Sequence, residues 1–441
     1  MLVANWNNYP RINARLWEFR TENEACKLLD SLSRCIPRGL GRSYGDCSLE
    51  KNIISTPCFK RFIALDQKQG ILECEAGISL DQILKLIIPR GLFLPVTPGT
   101  RYVTLGGAIA SDVHGKNHHL HGTFGRHVLS LLLLTPGGEI VDCSREKNAE
   151  LFHAVCGGMG LLGLILSARI RLMPIQSAHI RQITIPAENL EHLMELFEVH
   201  RQSTYSVAWI DFLGRGRNFG RGLFMLGEHC LSGEVTFKEL SRQKKSGINI
   251  PFFMPGWIMN KQGVRAFNHL YHLRGKSGTG CSFPDLDDFF YPLDKVHNWN
   301  RFYGRKGFLQ YQFVLPKEQS RPGLEKIQAH VQASRLLPYL AVLKLLGPQA
   351  GPLSFPFQGY TLALDFPIKP GLSAMLSALD RLVHNLGGRI YLAKDARMSK
   401  HDFLKGYPES GRFLELKYKH DPENKMASLQ SERLGLCAKT Y

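Results

Sequence analysis

The feature that most constrains this chain is a glycine- and histidine-rich stretch, residues 98–125. It reads PGTRYVTLGGAIASDVHGKNHHLHGTFG and contains six glycines, four histidines and Lys116. Glycine allows a backbone to approach a ligand closely and to adopt positive φ, while imidazoles and lysine supply hydrogen-bond donors and positive charge. This composition predicts a loop that wraps around an anionic ligand.

Two further glycine-rich loops point to similar chemistry. Residues 36–46 read IPRGLGRSYGD, and their backbone N–H groups can converge on a phosphate. Residues 158–163 read GMGLLG, which matches the bare dinucleotide fingerprint. The preceding residues 148–156 have helical character, and no acidic residue follows at the required distance of about 20 residues, so the Rossmann context is missing. We therefore interpret residues 158–163 as a close-approach loop and not as evidence for NAD.

The histidines of residues 98–125 raise the question of a metal site. His114 and His118 are four residues apart and two more follow, but glycines flank them and Asp112 is the only carboxylate nearby. Such a backbone suits a rigid metal cage poorly, so no metal is expected and phosphate or cofactor contacts fit better. The ten cysteines of the chain never form C-x-x-C, which disfavours a zinc ribbon and a redox dithiol and is typical of reduced thiols.

The charge balance allows several kinds of partner. The 441 residues include 55 Lys and Arg against 38 Asp and Glu, a formal charge of +17. Such a charge favours phosphates, nucleic acids or anionic membranes, and it also keeps proteins soluble. The basic tracts lack interleaved recognition motifs, so nucleic acid is the least expected partner. No secretory signal opens the chain and no apolar run reaches the ~20 residues of a membrane span, which predicts a cytoplasmic protein.

Near residue 180 the character of the sequence changes. Glycine-rich loops give way to longer helical and strand patterns, with basic tracts at residues 215–221 and 242–245. Residues 250–265, IPFFMPGWIMNKQGVR, combine aromatic and apolar side chains with positive charge. That segment suits an anionic membrane surface, a substrate-covering loop or an ordinary core. The length of the chain also predicts two or three domains.

Several segments carry clear signals of secondary structure. Capping patterns predict helices that begin after Thr21 and after Ser79. Residues 128–134 form a continuous apolar run typical of a buried strand. An amphipathic pattern from Leu372 predicts a helix that ends before Gly387.

Two predicted strands, residues 309–315 and 360–366, each present one polar face. These faces carry Gln310, Gln312, Thr361, Ala363 and Asp365. They either form the floor of a pocket that binds hydroxyl groups or meet solvent. A third predicted strand, residues 389–394, ends on Lys394, where a lysine either meets a buried anion or reaches solvent.

Together these motifs resemble the vanillyl-alcohol-oxidase type of flavoprotein, which has a PCMH-type FAD-binding domain. The resemblance is carried by PRGLGRSYGD, by PGTRYVTLGGAIASDVHGKNHH with GTFG after it, by GGMGLLG, by FLQYQFV and by YLAKDAR. Within that type the chain is most similar to the decaprenylphosphoryl-β-D-ribose 2′-oxidases, the flavin half of the ribose-to-arabinose epimerase. The similarity covers nearly the whole chain, and GGAIAxDxHGKNHH is its most specific run.

The resemblance implies an α+β protein with a PCMH-type FAD-binding fold and an inserted antiparallel-sheet substrate domain. Residues 1–178 would form the FAD-binding domain and residues 179–388 the substrate domain. Residues 389–441 would return to the FAD-binding domain. The change of character near residue 180 agrees with this division.

The resemblance also implies roles for individual residues. Among the catalytic candidates, Lys394 would place a cation by the flavin and hold the substrate hydroxyl. The other candidates, for proton handling and for binding the sugar or its phosphate, are Tyr44, His114 and Lys116. The substrate-binding candidates are Gln310, Gln312, Thr361 and Lys344. The cofactor-binding candidates are Arg38, Gly39, Leu40, Gly41, Arg42, Ser43, Tyr44, Thr97, Gly99, Thr100, Gly106, Gly107, Ala110, Ser111, His114, Gly115, Asn117, Gly122, Thr123, Gly125, Gly160, Gly163, Tyr391 and Lys394.

Two departures from the family pattern have consequences. Many relatives tether FAD through a histidine in a G-x-G-H-S loop, where this chain has Arg42. Arginine cannot form that bond, so we predict non-covalent FAD. Thr361 and Ala363 stand where Asn and Cys are usual, and this change in pocket hydrogen bonding bears on which sugar and lipid are accepted.

The resemblance implies a membrane-associated oxidoreductase of cell-wall synthesis. It would oxidise a secondary alcohol of a polyprenyl-phosphate-linked sugar, the 2′-hydroxyl of a decaprenylphosphoryl-ribose-like lipid, to a ketone by hydride transfer to flavin N5. An NAD(P)H-dependent short-chain reductase would complete the epimerisation, with peripheral contact at the inner membrane. Two alternatives stay open: an FAD-dependent oxidase of a soluble sugar, alditol or aldonolactone, and a flavin-holding protein without turnover.

Overall fold

The elements of the fold come from a computed structural model, which describes residues 1–214, 216–235, 240, 247–255, 261–349 and 351–437, without the side chains of residues 217, 261 and 277. The helices are α1 (Glu22–Ser31), α2 (Leu80–Ile87), α3 (Leu105–Ala110), α4 (His118–His121), α5 (Ala149–Val155), α6 (Leu190–Val199), α7 (Lys261–Ser277), α8 (Leu286–Phe290), α9 (Lys317–Ser334), α10 (Leu372–Asn385), α11 (Lys400–Gly406), α12 (Ser410–His420) and α13 (Leu429–Leu434). The strands are β1 (Leu2–Ala4), β2 (Arg11–Asn13), β3 (Arg15–Glu18), β4 (Ile36–Arg38), β5 (Asn52–Ser55), β6 (Phe62–Asp66), β7 (Ile71–Glu75), β8 (Leu92–Phe93), β9 (Val128–Leu134), β10 (Ile140–Ser144), β11 (Leu164–Arg171), β12 (Met173–Pro174), β13 (Ile180–Ala187), β14 (Tyr205–Ile210), β15 (Gly222–His229), β16 (Ile248–Asn249), β17 (Gly280–Ser282), β18 (Val296–His297), β19 (Phe308–Pro316), β20 (Ala341–Leu346), β21 (Gly359–Pro367) and β22 (Arg389–Ile390).

Three predicted segments lie wholly or partly outside the described residues. The basic tract at residues 242–245 is one, and residue 215 of the other tract is also outside. Residues 256–260, in the middle of the aromatic segment 250–265, also lie outside the described residues. The helix that follows them, α7, is described from its first residue.

The N-terminal part of the chain forms two sheets of three or more strands, besides the two-stranded sheets β1-β2 and β12-β8. A parallel sheet has the order β3-β5-β4, and an antiparallel sheet has the order β10-β9-β11-β7-β6. The apolar run 128–134 forms β9, as predicted, and lies between β10 and β11. Leu131, Leu133 and Leu134 of β9 are almost completely buried, which explains why this strand shows no polar alternation.

The predicted helix starts are confirmed by their caps. The Thr21 hydroxyl accepts a hydrogen bond from the Glu24 backbone N–H at 3.2 Å, and α1 begins directly after it. Ser79 and Gln82 form a reciprocal capping box at the start of α2. Such caps satisfy N–H groups that a helix cannot satisfy itself, so they fix where the helix begins.

A large antiparallel sheet dominates the second half of the chain. Its strand order is β17-β13-β15-β14-β20-β21-β19-β22. Helices α6, α9 and α10 cover one face, where Phe197 packs edge-on against Phe224 with ring centroids 4.7 Å apart. Helix α7 packs on the other face, against β13 and β15. The α+β class and the antiparallel sheet agree with the predicted fold, whereas the division at residues 178 and 388 stays a prediction.

The predicted strand at residues 389–394 is shorter than expected. Strand β22 pairs with β19 over Arg389–Ile390 only, and the next residues form a 3₁₀ turn, Leu392–Lys394. The reason is a tertiary hydrogen bond, because the Tyr44 backbone N–H donates to the Ala393 carbonyl at 3.0 Å and draws the chain away from β19. Lys394 consequently lies at a turn beside the loop 36–46.

Candidate active site

A cavity of about 720 Å³ lies between the N-terminal glycine-rich loops and the open face of the large sheet. Cofactor and substrate pockets fall in the range of ~300–1,000 Å³. The cavity brings together most of the predicted site residues, namely Arg38, Gly39, Leu40, Gly41, Arg42, Ser43, Tyr44, Gly99, Thr100, Gly106, Gly107, Ala110, Ser111, His114, Lys116, Gly160, Gly163, Gln310, Gln312, Lys344, Thr361, Tyr391 and Lys394. The three glycine-rich loops therefore meet at one place, as their composition suggested.

Six predicted cofactor residues do not line this cavity, namely Thr97, Gly115, Asn117, Gly122, Thr123 and Gly125. Several of them make hydrogen bonds within the surrounding loops. The Asn117 side-chain amide donates to the Pro95 carbonyl at 2.7 Å, and the Gly125 N–H donates to the buried Asp112 carboxylate at 3.0 Å. The cofactor role at these six positions stays a prediction.

The glycines of the cavity wall leave room for an extended ligand. A Cβ added at Gly99 would meet no heavy atom within 4 Å, so a side chain there would project into the open cavity. Gly41 has a φ of +63°, and a Cβ at that position would collide with the Arg38 guanidinium. Gly41 and Gly99 thus belong to a cradle, the glycine-rich wall of the cavity, that larger side chains would fill. Its basic groups, Arg38 and Arg42, suit a phosphate-bearing cofactor.

Lys394 lies in an aromatic and acidic environment at one end of the cavity. Its Nζ is 3.6 Å from the centroid of the Tyr44 ring, and burial lowers its pKa to about 7 while Asp365 opposes that shift. Asp365 accepts hydrogen bonds from the Gln310 amide at 2.6 Å and the Tyr303 hydroxyl at 3.3 Å, and burial raises its pKa to about 6. Burial also raises the pKa of Tyr44, so that phenol stays protonated.

A second group of hydrogen bonds fixes His114. The Gln312 amide nitrogen lies 3.0 Å from His114 Nε2 and 3.2 Å from the Thr361 hydroxyl, which itself donates to the Phe313 carbonyl at 2.8 Å. His114 Nε2 therefore accepts, which assigns the ring proton to Nδ1, a buried atom that has no hydrogen-bond partner among the described residues. Burial and the charge on Lys344 lower the pKa of His114, so the ring is uncharged.

Two more lysines reach the cavity from different elements. Lys116 donates to the Phe289 carbonyl and its Nζ lies 4.0 Å from the centroid of the Phe289 ring. Lys344 is on β20, paired in register with Thr361 of β21. Burial lowers the pKa of Lys116 to about 7 and that of Lys344 to about 8. In the part of the chain that the structure describes, neither lysine has a carboxylate partner.

Sequence comparisons agree with the geometry of this site. Residues 20–144 match the family of FAD binding domains. Over 412 residues the chain is 37% identical to the decaprenylphosphoryl-beta-D-ribose oxidase of Mycolicibacterium smegmatis (strain ATCC 700084 / mc(2)155), a match that covers 91% of this chain and 89% of that protein. This chain belongs to the decaprenylphosphoryl-ribose oxidase family. It is an FAD-dependent oxidoreductase, and the cradle described above fits its cofactor.

Other relatives of this family member are more distant. An uncharacterized Streptomyces coelicolor protein, from the mprA 5′ region, is 31% identical over 81% of this chain and 100% of its own length. The L-gulonolactone oxidase of Bos taurus is 23% identical over 85% of this chain and 83% of that protein. The similarity to the decaprenylphosphoryl-ribose oxidase family therefore extends along almost the whole chain, well beyond the FAD binding domain.

Sequence reasoning missed several residues that line the cavity or, like Asp365, hold the residues that line it. The strand pattern already placed Asp365 on the same polar face as Thr361. Its hydrogen bonds with Gln310 and Tyr303 are seen only in the structure. The cavity also has an apolar wall that carried no sequence signal, and it comprises Val207, Trp209, Met225, Phe267 and Tyr271. Apolar residues on a strand or helix indicate burial alone, so their place in a ligand cavity depends on the tertiary fold.

The described residues contain neither a candidate metal centre nor a candidate membrane-spanning helix. No group of three or more His, Cys, Asp or Glu in that part of the chain is arranged to hold a metal ion. Within the same residues, no helix is both long and apolar enough to cross a membrane.

Proposed function

We propose that this enzyme oxidises a secondary alcohol of a polyprenyl-phosphate-linked sugar to a ketone, with the 2′-hydroxyl of a decaprenylphosphoryl-ribose-like lipid as the reacting group. This would be the first half of an epimerisation in cell-wall synthesis, completed by an NAD(P)H-dependent short-chain reductase. The observation that carries the proposal is the convergence of Gln310, Gln312, Thr361 and Lys394 on one wall of the cavity. The name of the Mycolicibacterium smegmatis relative supports the substrate class.

The glycine-rich loops would hold FAD without a covalent bond. When bound, FAD supplies the hydride acceptor. Arg42 stands in the position of the tethering histidine of many relatives, and its guanidinium lies 3.9 Å from the centroid of the Trp6 ring. Acid precipitation of the holoenzyme should therefore leave the yellow colour in the supernatant. Colour retained in the washed pellet would contradict this part of the proposal.

The substrate hydroxyls would bind the polar face of β19 and β21. Gln312 and Thr361 already hydrogen bond to each other at 3.2 Å, so their orientation is fixed before a sugar arrives. Gln310 is fixed in the same way by Asp365. Preorganised donors and acceptors of this kind orient a reacting carbon at low entropic cost.

Lys394 is the group assigned to the hydroxyl proton. Burial moves the pKa of Tyr44 up and that of His114 down, so neither changes protonation near neutral pH. The pKa of Lys394 is about 7, so a neutral amine is available at that pH to accept the proton. The ammonium that results then supplies positive charge inside the cavity, while Tyr44 and His114 act as neutral hydrogen-bonding groups.

Peripheral contact with an anionic membrane is supported by the surface of α7. Phe267, Leu270 and Leu273 are 57%, 65% and 47% exposed, and they share one side of the helix. Arg265 and Arg274 flank them, and the helix sequence KQGVRAFNHLYHLRGKS contains no acidic residue. An exposed apolar stripe bordered by cations is typical of a helix that lies in a membrane interface.

Anaerobic addition of decaprenylphosphoryl ribose to the holoenzyme tests the proposal. We expect the flavin absorbance band to bleach with this lipid and not with ribose, alditols or L-gulonolactone. Lys394→Met should slow bleaching at least tenfold, whereas Lys326→Met, an exposed lysine on α9, should not. Bleaching by the soluble compounds alone would favour a soluble-sugar or aldonolactone oxidase, and bleaching by none would favour a flavin-holding protein.

A further inference from the structure

The cavity face of the large sheet changes its chemistry from strand to strand. The neighbouring strands β19, β21, β20, β14 and β15 lie in this order across the sheet. Their cavity-lining residues include, in the same order, Gln310 and Gln312, then Thr361, then Lys344, then Val207 and Trp209, and finally Met225. Along these five strands the polar side chains lie on β19 and β21, the lysine lies on β20 beside Val342, and β14 and β15 contribute apolar side chains only; Gln182 of β13, the next strand, also lines the cavity.

Lys116 adds a second cation to the middle of this wall. Its backbone carbonyl accepts a hydrogen bond from the Ser206 N–H at 3.0 Å, which docks the loop of Lys116 against β14. Strand β14 pairs directly with β20, the strand of Lys344. The charge on Lys344 contributes to the lowered pKa of Lys116, which shows that the two ammonium groups are within electrostatic range of each other.

Two partly buried ammonium groups of like charge destabilise each other when no anion lies between them. The carboxylate of Asp365 acts on Lys394, and no carboxylate in the described part of the chain acts on the lysine pair. Uncharged polar groups interact with the pair: the Phe289 carbonyl accepts a hydrogen bond from Lys116, Thr361 pairs in register with Lys344, and His114 is affected by the charge of Lys344. An anionic ligand group would remove this repulsion.

The apolar side continues to the surface along α7. Tyr271 packs edge-on against Trp209 with ring centroids 4.9 Å apart and stacks on Phe267 at 5.9 Å. Phe267 both lines the cavity and is exposed, so this aromatic group marks an opening that a long apolar chain can follow.

We propose that Lys116 and Lys344 form a subsite for a phosphodiester anion, which joins a hydroxyl-bearing group near Gln312 and Thr361 to an apolar chain that leaves past Trp209 and Tyr271. This inference rests on the proposed function and assigns the phosphate of its substrate to named residues. The order of the wall matches the order of the three parts of such a substrate. A soluble sugar would use only the polar side.

The test measures binding by calorimetry with a compound that cannot be oxidised. The probe is farnesylphosphoryl 2-deoxyribose, and its comparison is the uncharged farnesyl ether of the same sugar. We expect Lys116→Met and Lys344→Met holoenzymes to bind the phosphodiester ten- to a hundredfold more weakly, about the range of a hydrogen bond to a charged group. Lys344→Arg should restore most of the affinity, and Lys326→Met should not change it.

The uncharged ether should bind the wild type at least tenfold more weakly than the phosphodiester and should not respond to Lys344→Met. Equal losses for both compounds, or phosphodiester affinity within twofold of wild type in both methionine variants, would overturn the subsite. Thermal unfolding confirms that each variant is folded. The probe lacks the reacting hydroxyl, so its binding tests the subsite alone. Flavin bleaching by decaprenylphosphoryl ribose tests the proposed function independently of it.

Discussion

At the scale of single residues, burial determines which groups in the cavity can exchange a proton. It raises the pKa of Tyr44, lowers that of His114 and brings that of Lys394 to about 7. The three side chains have ordinary pKa values of ~10, ~6.5 and ~10.4 in water. Desolvation has therefore exchanged their expected roles, since the lysine and not the histidine titrates near neutral pH.

Asp365→Asn should shift the pH dependence of the reaction. If neutral Lys394 accepts the proton, kcat/KM rises as pH increases through the pKa of Lys394. The Asp365 carboxylate favours the charged lysine and raises that pKa, so its removal should move the rising limb to lower pH. The measurement is kcat/KM for decaprenylphosphoryl ribose between pH 5.5 and 9. An unshifted limb with a uniformly lower rate would indicate a purely structural role.

Gly99→Val should remove FAD without unfolding the protein. The added side chain enters the cavity, because nothing lies within 4 Å of a Cβ at Gly99. We expect FAD affinity to fall at least tenfold, which corresponds to ~1.4 kcal/mol. Gly411→Val is the matched control, since a Cβ at Gly411 also meets nothing within 4 Å but lies on α12 outside the cavity. Flavin absorbance per protein measures the difference, and equal flavin content in both variants would argue against the cradle.

The residues that sequence reasoning found are those with a local chemical signal. Strand alternation placed Gln310 and Gln312 on one face, and the motif YLAKDAR singled out Lys394. Trp209 and Phe267 gave no such signal, because an apolar side chain looks the same whether it faces a core or a ligand. The pairing of Lys116 with Lys344 depends on contacts between residues far apart in the chain, which no local pattern encodes.

At the scale of elements, two helix starts and both ends of β9 were predictable, whereas the end of β22 was not. Thr21 and Ser79 cap their helices with hydrogen bonds to residues three positions away, so the signal is contained in the sequence around them. The end of β22 is set by the Tyr44 N–H, which binds Ala393 from a distant loop. The order of strands across the large sheet is likewise a tertiary property, although β19 and β21 were visible in their alternation.

Helix α7 should carry the membrane contact. Replacing Leu270 and Leu273 together by Glu removes exposed apolar area and adds negative charge, so binding to phosphatidylglycerol vesicles should fall at least tenfold. Val199→Glu on α6 is the control, because Val199 is 75% exposed on the opposite face of the sheet. Vesicle co-sedimentation measures the effect. Equal losses in the control would point to a general charge effect and not to α7.

At the scale of the whole molecule, the buried lysines of the cavity lower the stability of the ligand-free protein. Lys116, Lys344 and Lys394 have lowered pKa values of about 7, 8 and 7. In the unfolded chain these lysines stay protonated up to about pH 10.4, their ordinary pKa. The free energy of unfolding therefore decreases as the pH falls from about 10.4 towards the pKa values of the folded protein. Basic conditions therefore favour the empty protein.

The flavin-free protein should accordingly have a higher Tm at pH 8 than at pH 7. The raised pKa values of buried tyrosines such as Tyr44 and of buried thiols such as Cys47 and Cys74 oppose folding only above their ordinary values of ~10 and ~8.5, outside this window. Differential scanning calorimetry measures the difference, and Lys344→Met should reduce it. A Tm that is independent of pH in both proteins would contradict the assignment of these lysines.

The hydrogen bond between the Tyr44 N–H and the Ala393 carbonyl has a consequence for how the enzyme is made. It joins residues about 350 positions apart, and Lys394 is brought to Tyr44 by the same turn. A ribosome releases the N-terminal loops long before it has made that turn. The cavity next to Tyr44 is therefore incomplete on the nascent chain until Ala393 and Lys394 have been made, long after the N-terminal loops.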